Sequence, residues 1–255
     1  DIRSCALITL SMSESEKLTA IVLAGGMGTR LATRVPDRPK VLAEVNGEPF
    51  IVKLLRQLVL AKIKQVVVCT GHRANEVEAA ISDHFGNNNI CFSREALPMG
   101  TGGALALASE HVLGQYALVL NGDSFIQVDY QDLLMWHCVH GARVSLVVTS
   151  VENSGRFGSV TLGKTGRICE FSEKVEQSDN RGNLINAGVY LINKSILQTL
   201  SRTHNSSFEQ EVLPKLIPDR VYGYISDRPF IDIGTPDSFD QADSFFNAKY
   251  PAMGK

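Results

Sequence analysis

TAIVLAGGMGTRLATRVPDRPK, at residues 19–40, is the stretch that decides the fold of this chain. Residues 20–24 form a short apolar run that contains branched side chains, which is typical of a buried strand. The strand runs into a turn with three glycines: Gly25, Gly26 and Gly28. Glycine accepts a positive φ and lets backbone N–H groups approach a ligand, and cationic residues follow at Arg30 and Lys40. A strand, a glycine-rich turn and cations together predict a polyphosphate site.

Two familiar phosphate motifs do not match this turn. A P-loop would end in Gly-Lys-Ser or Gly-Lys-Thr, and the dinucleotide fingerprint has another glycine spacing, with a glycine where Arg30 stands. A glycine-rich turn alone is also compatible with a tight surface loop. The turn therefore predicts an anion site without identifying the ligand.

Outside this stretch, strands and helices alternate through the first half of the chain. We predict strands at 65–70, 90–93 and 116–121, and helices at 50–62, 74–85 and 100–112. Such alternation indicates a parallel sheet with helices on both faces, in which ligands bind beyond the carboxyl ends of the strands. The Gly25 turn and Asp123 both follow a strand directly, so we expect them to share one site.

The second half is richer in short strands. We predict strands at 143–151, 159–162, 168–171, 186–192 and 230–233, helices at 132–140 and near the carboxyl terminus, and a hairpin turn at 163–166. Ser206 and Glu209 have the spacing of a helix capping box. The predicted fold class is a Rossmann-like, doubly wound α/β sheet of mixed direction with a small β-rich subdomain. Residues 18–255 form one domain, and 1–17 are a flexible or extraneous segment.

Composition excludes several classes of protein. The formal net charge is -2 with no basic tract, so we expect no nucleic-acid partner. No apolar run reaches the roughly 20 residues of a transmembrane helix, so we expect no membrane insertion. The five cysteines are scattered, which favours small buried thiols in a cytoplasmic protein. His137 and His140 flank Cys138 at a spacing that a helix interior explains better than zinc.

The string LAGGMGTRL followed by Pro39 and Lys40 resembles the signature of the sugar-1-phosphate nucleotidyltransferases, which join a nucleoside triphosphate to a sugar phosphate. The resemblance covers nearly all of residues 18–247. It implies that the turn and the loop at 98–102 bind the nucleotide, through Leu23, Ala24, Gly25, Gly26, Gly28, Thr29, Arg30, Gly100, Thr101 and Gly102. Glu95 is a further candidate for contact with the edge of the base.

The same resemblance implies roles for charged residues. Asp123, in LNGDSF, and Asp232, in FIDIGTP, match the family's metal-binding pair, and Mg²⁺ commonly takes one or two protein carboxylates plus substrate phosphates. Arg30 and Lys40 would lie over the β- and γ-phosphates. The attacking sugar phosphate is already ionised, so the reaction needs carboxylates and cations rather than a general base.

The sugar side also has counterparts. FSEK resembles the family's Glu-Lys element, which implies that Lys174 contacts the sugar's phosphate as a catalytic cation and Glu173 a hydroxyl group. The NAGVY string, which begins at Asn186, resembles the family's strand that closes over the sugar. Gly158 ends an Arg-Tyr-Gly element in which Phe157 replaces the tyrosine, so any role of that hydroxyl is absent.

The strings PMGTGGAL, INAGVYL and SFEQEVLP look most like the short guanylyltransferases for D-glycero-D-manno-heptose 1-phosphate. This implies GTP and that heptose phosphate as partners, GDP-heptose for cell-surface glycans as product, Mg²⁺ as cofactor, and a possible homodimer. Relatives acting on mannose 1-phosphate, or transferring uridylyl or thymidylyl groups, are the alternatives. A non-catalytic regulatory homologue is less favoured, because the predicted cations and carboxylates occur together.

Overall fold

The computed structural model describes residues 18–86, 89–152, 155–173, 184–201 and 206–251. Its strands are β1 Thr19–Leu23, β2 Glu44–Val45, β3 Glu48–Pro49, β4 Gln65–Thr70, β5 Ile90–Arg94, β6 Tyr116–Asn121, β7 Ser124–Ile126, β8 Val144–Ser150, β9 Ser159–Leu162, β10 Ile168–Ser172, β11 Leu184–Asn193, β12 Val221–Ile225 and β13 Phe230–Asp232. Its α-helices are α1 Phe50–Leu60, α2 Ala74–Phe85, α3 Gly100–Ala108, α4 Tyr130–Val139, α5 Lys194–Leu197, α6 Leu213–Leu216, α7 Pro236–Asp240 and α8 Ala242–Lys249. The segment 1–17, which the sequence sets apart, lies outside these ranges.

Among the described residues, nine strands form one mixed sheet. Strands β5, β4, β1 and β6 run parallel in that order. Strand β11 then pairs antiparallel with both β6 and β8, and β12 lies parallel to β8. The β9–β10 hairpin joins the sheet beside the first half of β11. The predicted fold class, a mixed α/β sheet with a β-rich part in the second half, is confirmed.

Both faces of the sheet are covered, as a buried strand requires. In β1, Ala20 and Val22 pack into the core on one face, together with α1 residues such as Leu54. Ile21 packs into the core on the other face, against α3 residues such as Leu105. The apolar run at 20–24 is thus buried because side chains of alternating direction meet helices on either side.

Several predicted boundaries need correction. Helix α3 ends at Ala108 and continues only as a 3₁₀ turn to His111, and the carboxyl-terminal helix is two short helices. The edge strand β12 was not predicted. Cys69 is a buried thiol as expected, but Cys169 is exposed, because its position in β10 faces away from the core.

The predicted capping box of Ser206 and Glu209 is wrong. Ser207 is the capping residue: its hydroxyl accepts from the backbone N–H of Gln210, and its own N–H donates to Glu211. The turn it caps is a π-helical segment, Phe208–Val212, that runs into α6. Ser206 instead pairs through its backbone with Met99 and Gly102. The register is one residue later because Glu209 is drawn into the interior, where its side chain is almost fully buried.

Helix α4 is anchored to the sheet through His137, which lies inside this helix as the sequence predicted. The buried ring lies 2.8 Å from Ser145 Oγ at Nδ1 and 2.7 Å from Asn193 Oδ1 at Nε2. In the part of the chain that the structure describes, no cluster of three or more His, Cys, Asp or Glu side chains could hold a metal ion. Within the same ranges, no helix has the length and apolar character needed to cross a membrane.

Burial lowers the pKa of His137 to about 4, below the value near 6.5 of an exposed histidine. As the pH falls from about 6.5 toward 4, the unfolded chain takes up a proton at this site and the folded chain does not. Stability should therefore fall with decreasing pH, and His137→Gln should remove roughly 2 kcal/mol of that loss between pH 7 and 4.5. Urea unfolding at a series of pH values measures it, with the exposed His84→Gln as control. Equal pH slopes in the His137→Gln variant and the unmodified chain would contradict this assignment.

Candidate functional site

A cleft of about 740 Å³ lies beyond the carboxyl ends of β1, β4 and β6. The parallel register places Leu23 of β1 beside Cys69 of β4 and Asn121 of β6, so the segments after these strands meet at one edge. All predicted nucleotide-binding residues except Gly102 line this cleft: Leu23, Ala24, Gly25, Gly26, Gly28, Thr29, Arg30, Gly100 and Thr101. Lys40, Asp123 and Gly234 line it as well.

Gly102 has a different reason to be glycine. Its N–H donates to the Ser206 carbonyl at 2.8 Å, and a Cβ there would lie 2.5 Å from Ser206 Oγ. The residue therefore packs the start of α3 against the segment that leads into the π-helical turn. It supports the wall of the cleft without lining it.

The glycine-rich turn is closely surrounded at two positions. A Cβ on Gly25 would lie 2.5 Å from Glu95 Oε1 and 3.3 Å from the Gly71 nitrogen. Gly28 has a φ of 63°, and a Cβ there would lie 2.7 Å from Lys40 Cβ. Side chains at these positions would displace Glu95 and Lys40, so the glycines are required by neighbouring structure as well as by any ligand.

Asp123 and Asp232 come together through the pairing of β7 with β13. Asp232 lies opposite Ser124 in that pairing, and the N–H of Ile233 donates to the Asp123 carbonyl at 2.9 Å. The side chain of Asp232 also accepts from the Gly234 N–H at 3.0 Å. Two aspartates 109 positions apart in the chain are therefore neighbours. Asp123 lines the cleft, and Asp232 lies beside it without being part of the lining.

Each aspartate has a cationic partner. Lys40 Nζ lies 2.5 Å from Asp123 Oδ2, and Arg156 lies 3.3 Å from Asp232 Oδ1. Arg156 also donates to Thr235 and Ser238, which holds it against the start of α7. Burial, followed by the nearby Asp123 charge, raises the pKa of Asp232, although Lys40 and Arg156 oppose the shift. Two carboxylates this close create the negative potential that attracts a cation.

The sugar-side residues form a separate group outside the cleft lining. The Asn186 N–H donates to the Gly158 carbonyl at 2.9 Å, and a Cβ on Gly158 would lie 3.4 Å from Glu173 Oε2. Gly158, Glu173 and Asn186 are thus brought together. Lys174 lies outside the described residues. Phe157, in the place of the family's tyrosine, packs edge-on against Phe230 at 5.4 Å between ring centroids.

The sequence missed part of the cleft wall. His72 and Arg73, in the turn after β4, line the cleft, and Arg73 adopts a left-handed conformation with a φ of 53°. The signal was available, since this turn follows a parallel strand as the Gly25 turn does. Glu209 also lines the cleft. It was missed because its spacing from Ser206 suggested a helix capping box.

A family model described as nucleotidyl transferase matches residues 19–249. The chain is 34% identical over 226 residues to the D-glycero-alpha-D-manno-heptose 1-phosphate guanylyltransferase of Aneurinibacillus thermoaerophilus, covering 88% of this chain and 96% of that protein. It is 32% identical over 229 residues to the mannose-1-phosphate guanylyltransferase of Mycobacterium tuberculosis, covering 88% of this chain and 63% of the mycobacterial protein.

The fold is also similar to that of solved structures. The crystal structure of HddC from Yersinia pseudotuberculosis superposes with a TM-score of 0.79 at 27% identity, covering 89% of this chain and 99% of the HddC chain. The same protein has been solved in complex with GMP-PN, with the same TM-score and identity.

Gly25→Ala should weaken nucleoside triphosphate binding by about fivefold to a hundredfold, because overpacking here costs roughly 1–3 kcal/mol and pushes Glu95 into the cleft. Calorimetric titration measures the dissociation constant, and thermal unfolding shows whether the variant is folded. Gly155→Ala is the control, since a Cβ there would have no neighbour within 4 Å. A folded Gly25→Ala protein that binds as tightly as the Gly155→Ala protein would contradict the close packing of this turn.

Proposed function

The chain belongs to the nucleotidyl transferase family, and we propose that it transfers GMP from GTP to D-glycero-D-manno-heptose 1-phosphate, releasing pyrophosphate and forming GDP-heptose. The observation that carries this proposal is the joint placement of the Gly25 turn, Lys40, Asp123 and Asp232 at one edge of the sheet. A regulatory homologue would not need to keep two aspartates and their cations in contact. The guanylyltransferases among the relatives support the nucleotide and the sugar phosphate.

The proposed reaction is a displacement at the α-phosphorus of GTP. An ionised oxygen of the sugar 1-phosphate forms the new bond to phosphorus, and the bond between the α-phosphorus and the oxygen bridging to the β-phosphate breaks. The electron pair of that bond leaves with pyrophosphate. Negative charge accumulates on the leaving group, so preorganised cations stabilise the transition state. Arg30 and Lys40 of the cleft are the residues proposed for that role.

The proposal includes Mg²⁺ bound by Asp123 and Asp232. The donor set fits this ion, since Mg²⁺ prefers oxygen ligands and is commonly bound through one or two carboxylates plus substrate phosphates. Burial is the main cause of the raised pKa of Asp232 and the nearby Asp123 charge the second, and a divalent cation would relieve the repulsion between the two carboxylates. When bound, Mg²⁺ supplies positive charge to the α-phosphate. Lys40 already pairs with Asp123, so it holds that carboxylate in place before any ion enters.

Recognition of the sugar is proposed for the group formed by Gly158, Glu173 and Asn186, with Lys174 contacting the sugar's phosphate. The Gly158 carbonyl and the Asn186 N–H already pair with one another, which fixes the backbone of this group. Heptose and mannose differ by one hydroxymethyl unit. A site that hydrogen bonds the extra hydroxyl group rejects mannose strongly, whereas one that only accommodates it discriminates weakly.

Recognition of guanine is proposed for the cleft wall formed by Leu23, Ala24, Gly100 and Thr101, with Glu95 as a further contact. Guanine presents a carbonyl and an exocyclic amine that other bases do not offer in the same arrangement. The Glu95 carboxyl is half-buried, which raises its pKa, and one of its oxygens already accepts from the Met99 N–H at 2.7 Å. Its other oxygen faces Gly25 and Gly71.

Mannose 1-phosphate is the alternative sugar substrate. The mycobacterial mannose-1-phosphate guanylyltransferase is nearly as similar in sequence as the heptose enzyme, and both comparisons extend over 88% of this chain. The heptose enzyme is 34% identical to this chain and the mannose enzyme 32%. We therefore place heptose first. A cytoplasmic location, a role in cell-surface glycan synthesis and a homodimer belong to the same proposal.

The substrate assignment is tested by kcat/KM for GTP, UTP, dTTP and CTP against heptose, mannose and glucose 1-phosphates with Mg²⁺, followed through pyrophosphate release. We expect GTP to exceed every other nucleotide, and D-glycero-D-manno-heptose 1-phosphate to exceed mannose 1-phosphate, each by at least about tenfold. EDTA should abolish all turnover.

The outcomes separate the parts of the proposal. Preference for UTP or dTTP would contradict the guanylyl assignment and leave the transferase intact. Preference for mannose 1-phosphate would contradict the sugar alone. If no pair of substrates releases pyrophosphate, the proposed transferase activity itself is contradicted.

A further inference from the structure

A buried chain of hydrogen bonds connects the nucleotide cleft with the sugar-side strand β11. Thr101, on the cleft wall, donates to Glu209 Oε2 at 2.8 Å, and the Tyr190 hydroxyl donates to Glu209 Oε1 at 3.1 Å. Asn186 Nδ2 donates in turn to the Tyr190 hydroxyl at 2.7 Å. Tyr190 is fully buried, and Glu209 is 8% exposed. A carboxyl group buried this deeply with so many partners calls for an explanation beyond packing.

Backbone N–H groups at the two ends of this series of hydrogen bonds fix which atom donates in each of them. The Thr101 hydroxyl accepts from the Phe208 N–H at 2.7 Å, so its own hydrogen points to Glu209. The side-chain oxygen of Asn186, Oδ1, accepts from the Gly188 N–H at 3.0 Å. The side-chain nitrogen, Nδ2, therefore points to Tyr190. Burial and the neighbouring Glu209 raise the pKa of Tyr190 well above its ordinary value, which keeps that hydroxyl a donor. Both oxygens of Glu209 must therefore accept.

We propose that Glu209 is a positioning residue that holds Thr101 for the nucleotide and, through Tyr190, Asn186 for the sugar phosphate. The inference rests on the proposed function, because it takes Thr101 and Asn186 as substrate-contacting residues. Glu209 itself contacts neither reacting group in this account. Its position on the π-helical turn between α3 and β11 is what lets one side chain reach both.

Glutamine cannot replace this carboxyl group, although it has the same shape. One end of its amide is a donor. If the amide nitrogen faces Tyr190, the tyrosine hydrogen loses its acceptor, and if it faces Thr101, the threonine hydrogen does. Leaving a buried hydroxyl donor without an acceptor is unfavourable enough that its side chain reorients. In Glu209→Gln, the amide should therefore alternate between these two orientations. One orientation disturbs the sugar-side residues and the other disturbs the nucleotide-side residue.

The test compares KM and kcat of single variants. Thr101→Val, which removes the nucleotide-side hydroxyl, should raise KM for GTP by roughly tenfold and leave KM for the sugar phosphate unchanged. Tyr190→Phe, which removes the sugar-side hydroxyl, should do the reverse. Glu209→Gln should raise both. A variant that is only partly folded lowers the active fraction and hence kcat, but it does not raise KM, so this pattern separates positioning from stability.

A double variant sharpens the test. In Glu209→Gln combined with Tyr190→Phe, the amide nitrogen can face the phenyl ring and the amide oxygen can accept from Thr101. KM for GTP should then return to the wild-type value while KM for the sugar phosphate stays raised. Glu211→Gln is the matched control, since it lies on the same turn, is exposed and keeps an oxygen to accept from the Ser207 N–H. It should match wild type in both constants.

Calorimetric titration of GTP alone supports the kinetics, because the dissociation constant should follow the same order of variants. Both KM values unchanged in an active Glu209→Gln enzyme would overturn the inference and leave the proposed function standing. The same holds if Thr101→Val and Tyr190→Phe raise both KM values alike. A wild-type chain that neither binds GTP nor turns over any substrate pair would overturn the proposed function and this inference with it.

Discussion

The pairing of β13 with β7 is the interaction on which the site depends. It places Asp232 beside Asp123 at a sheet edge, although the two carboxylates repel one another and burial raises the pKa of Asp232. The repulsion is tolerated because Lys40 and Arg156 contact one carboxylate each. Charge is therefore balanced within a small, partly buried group, which is the arrangement expected where a divalent cation and phosphates are to be bound.

The parallel sheet supplies the rest of the frame. Strands β1 and β6 are adjacent and parallel, so the Gly25 turn and the segment that contains Asp123 leave the sheet side by side. A Cβ on Gly122 would lie 2.5 Å from the Leu23 carbonyl, which shows how closely these two segments approach. The cleft thus follows from strand order, and the loops only shape it.

Sequence reasoning was sufficient where the signal is local. The apolar run at 20–24, the glycines after it and the alternation of strands with helices all predicted elements that the structure confirms. It was insufficient where partners are distant in the chain. The pairing of Asp232 with Asp123 rested on resemblance to a family, because no local pattern reports which strand a short run such as Phe230–Asp232 pairs with. Glu209 was assigned to a helix capping box, because its burial depends on contacts with Thr101 and Tyr190, which are 108 and 19 positions away.

We propose that Asp123 and Asp232 bind one divalent cation that also contacts the nucleotide. It is tested most directly by anomalous diffraction from crystals grown with Mn²⁺, which stands in for Mg²⁺, and a non-hydrolysable GTP analogue. We expect one manganese peak within coordination distance of a carboxylate oxygen from each aspartate and of a phosphate oxygen. The peak should be lost in Asp232→Asn but not in the exposed control Asp237→Asn. A peak that contacts the phosphates without either aspartate, or one that persists in Asp232→Asn, would contradict it.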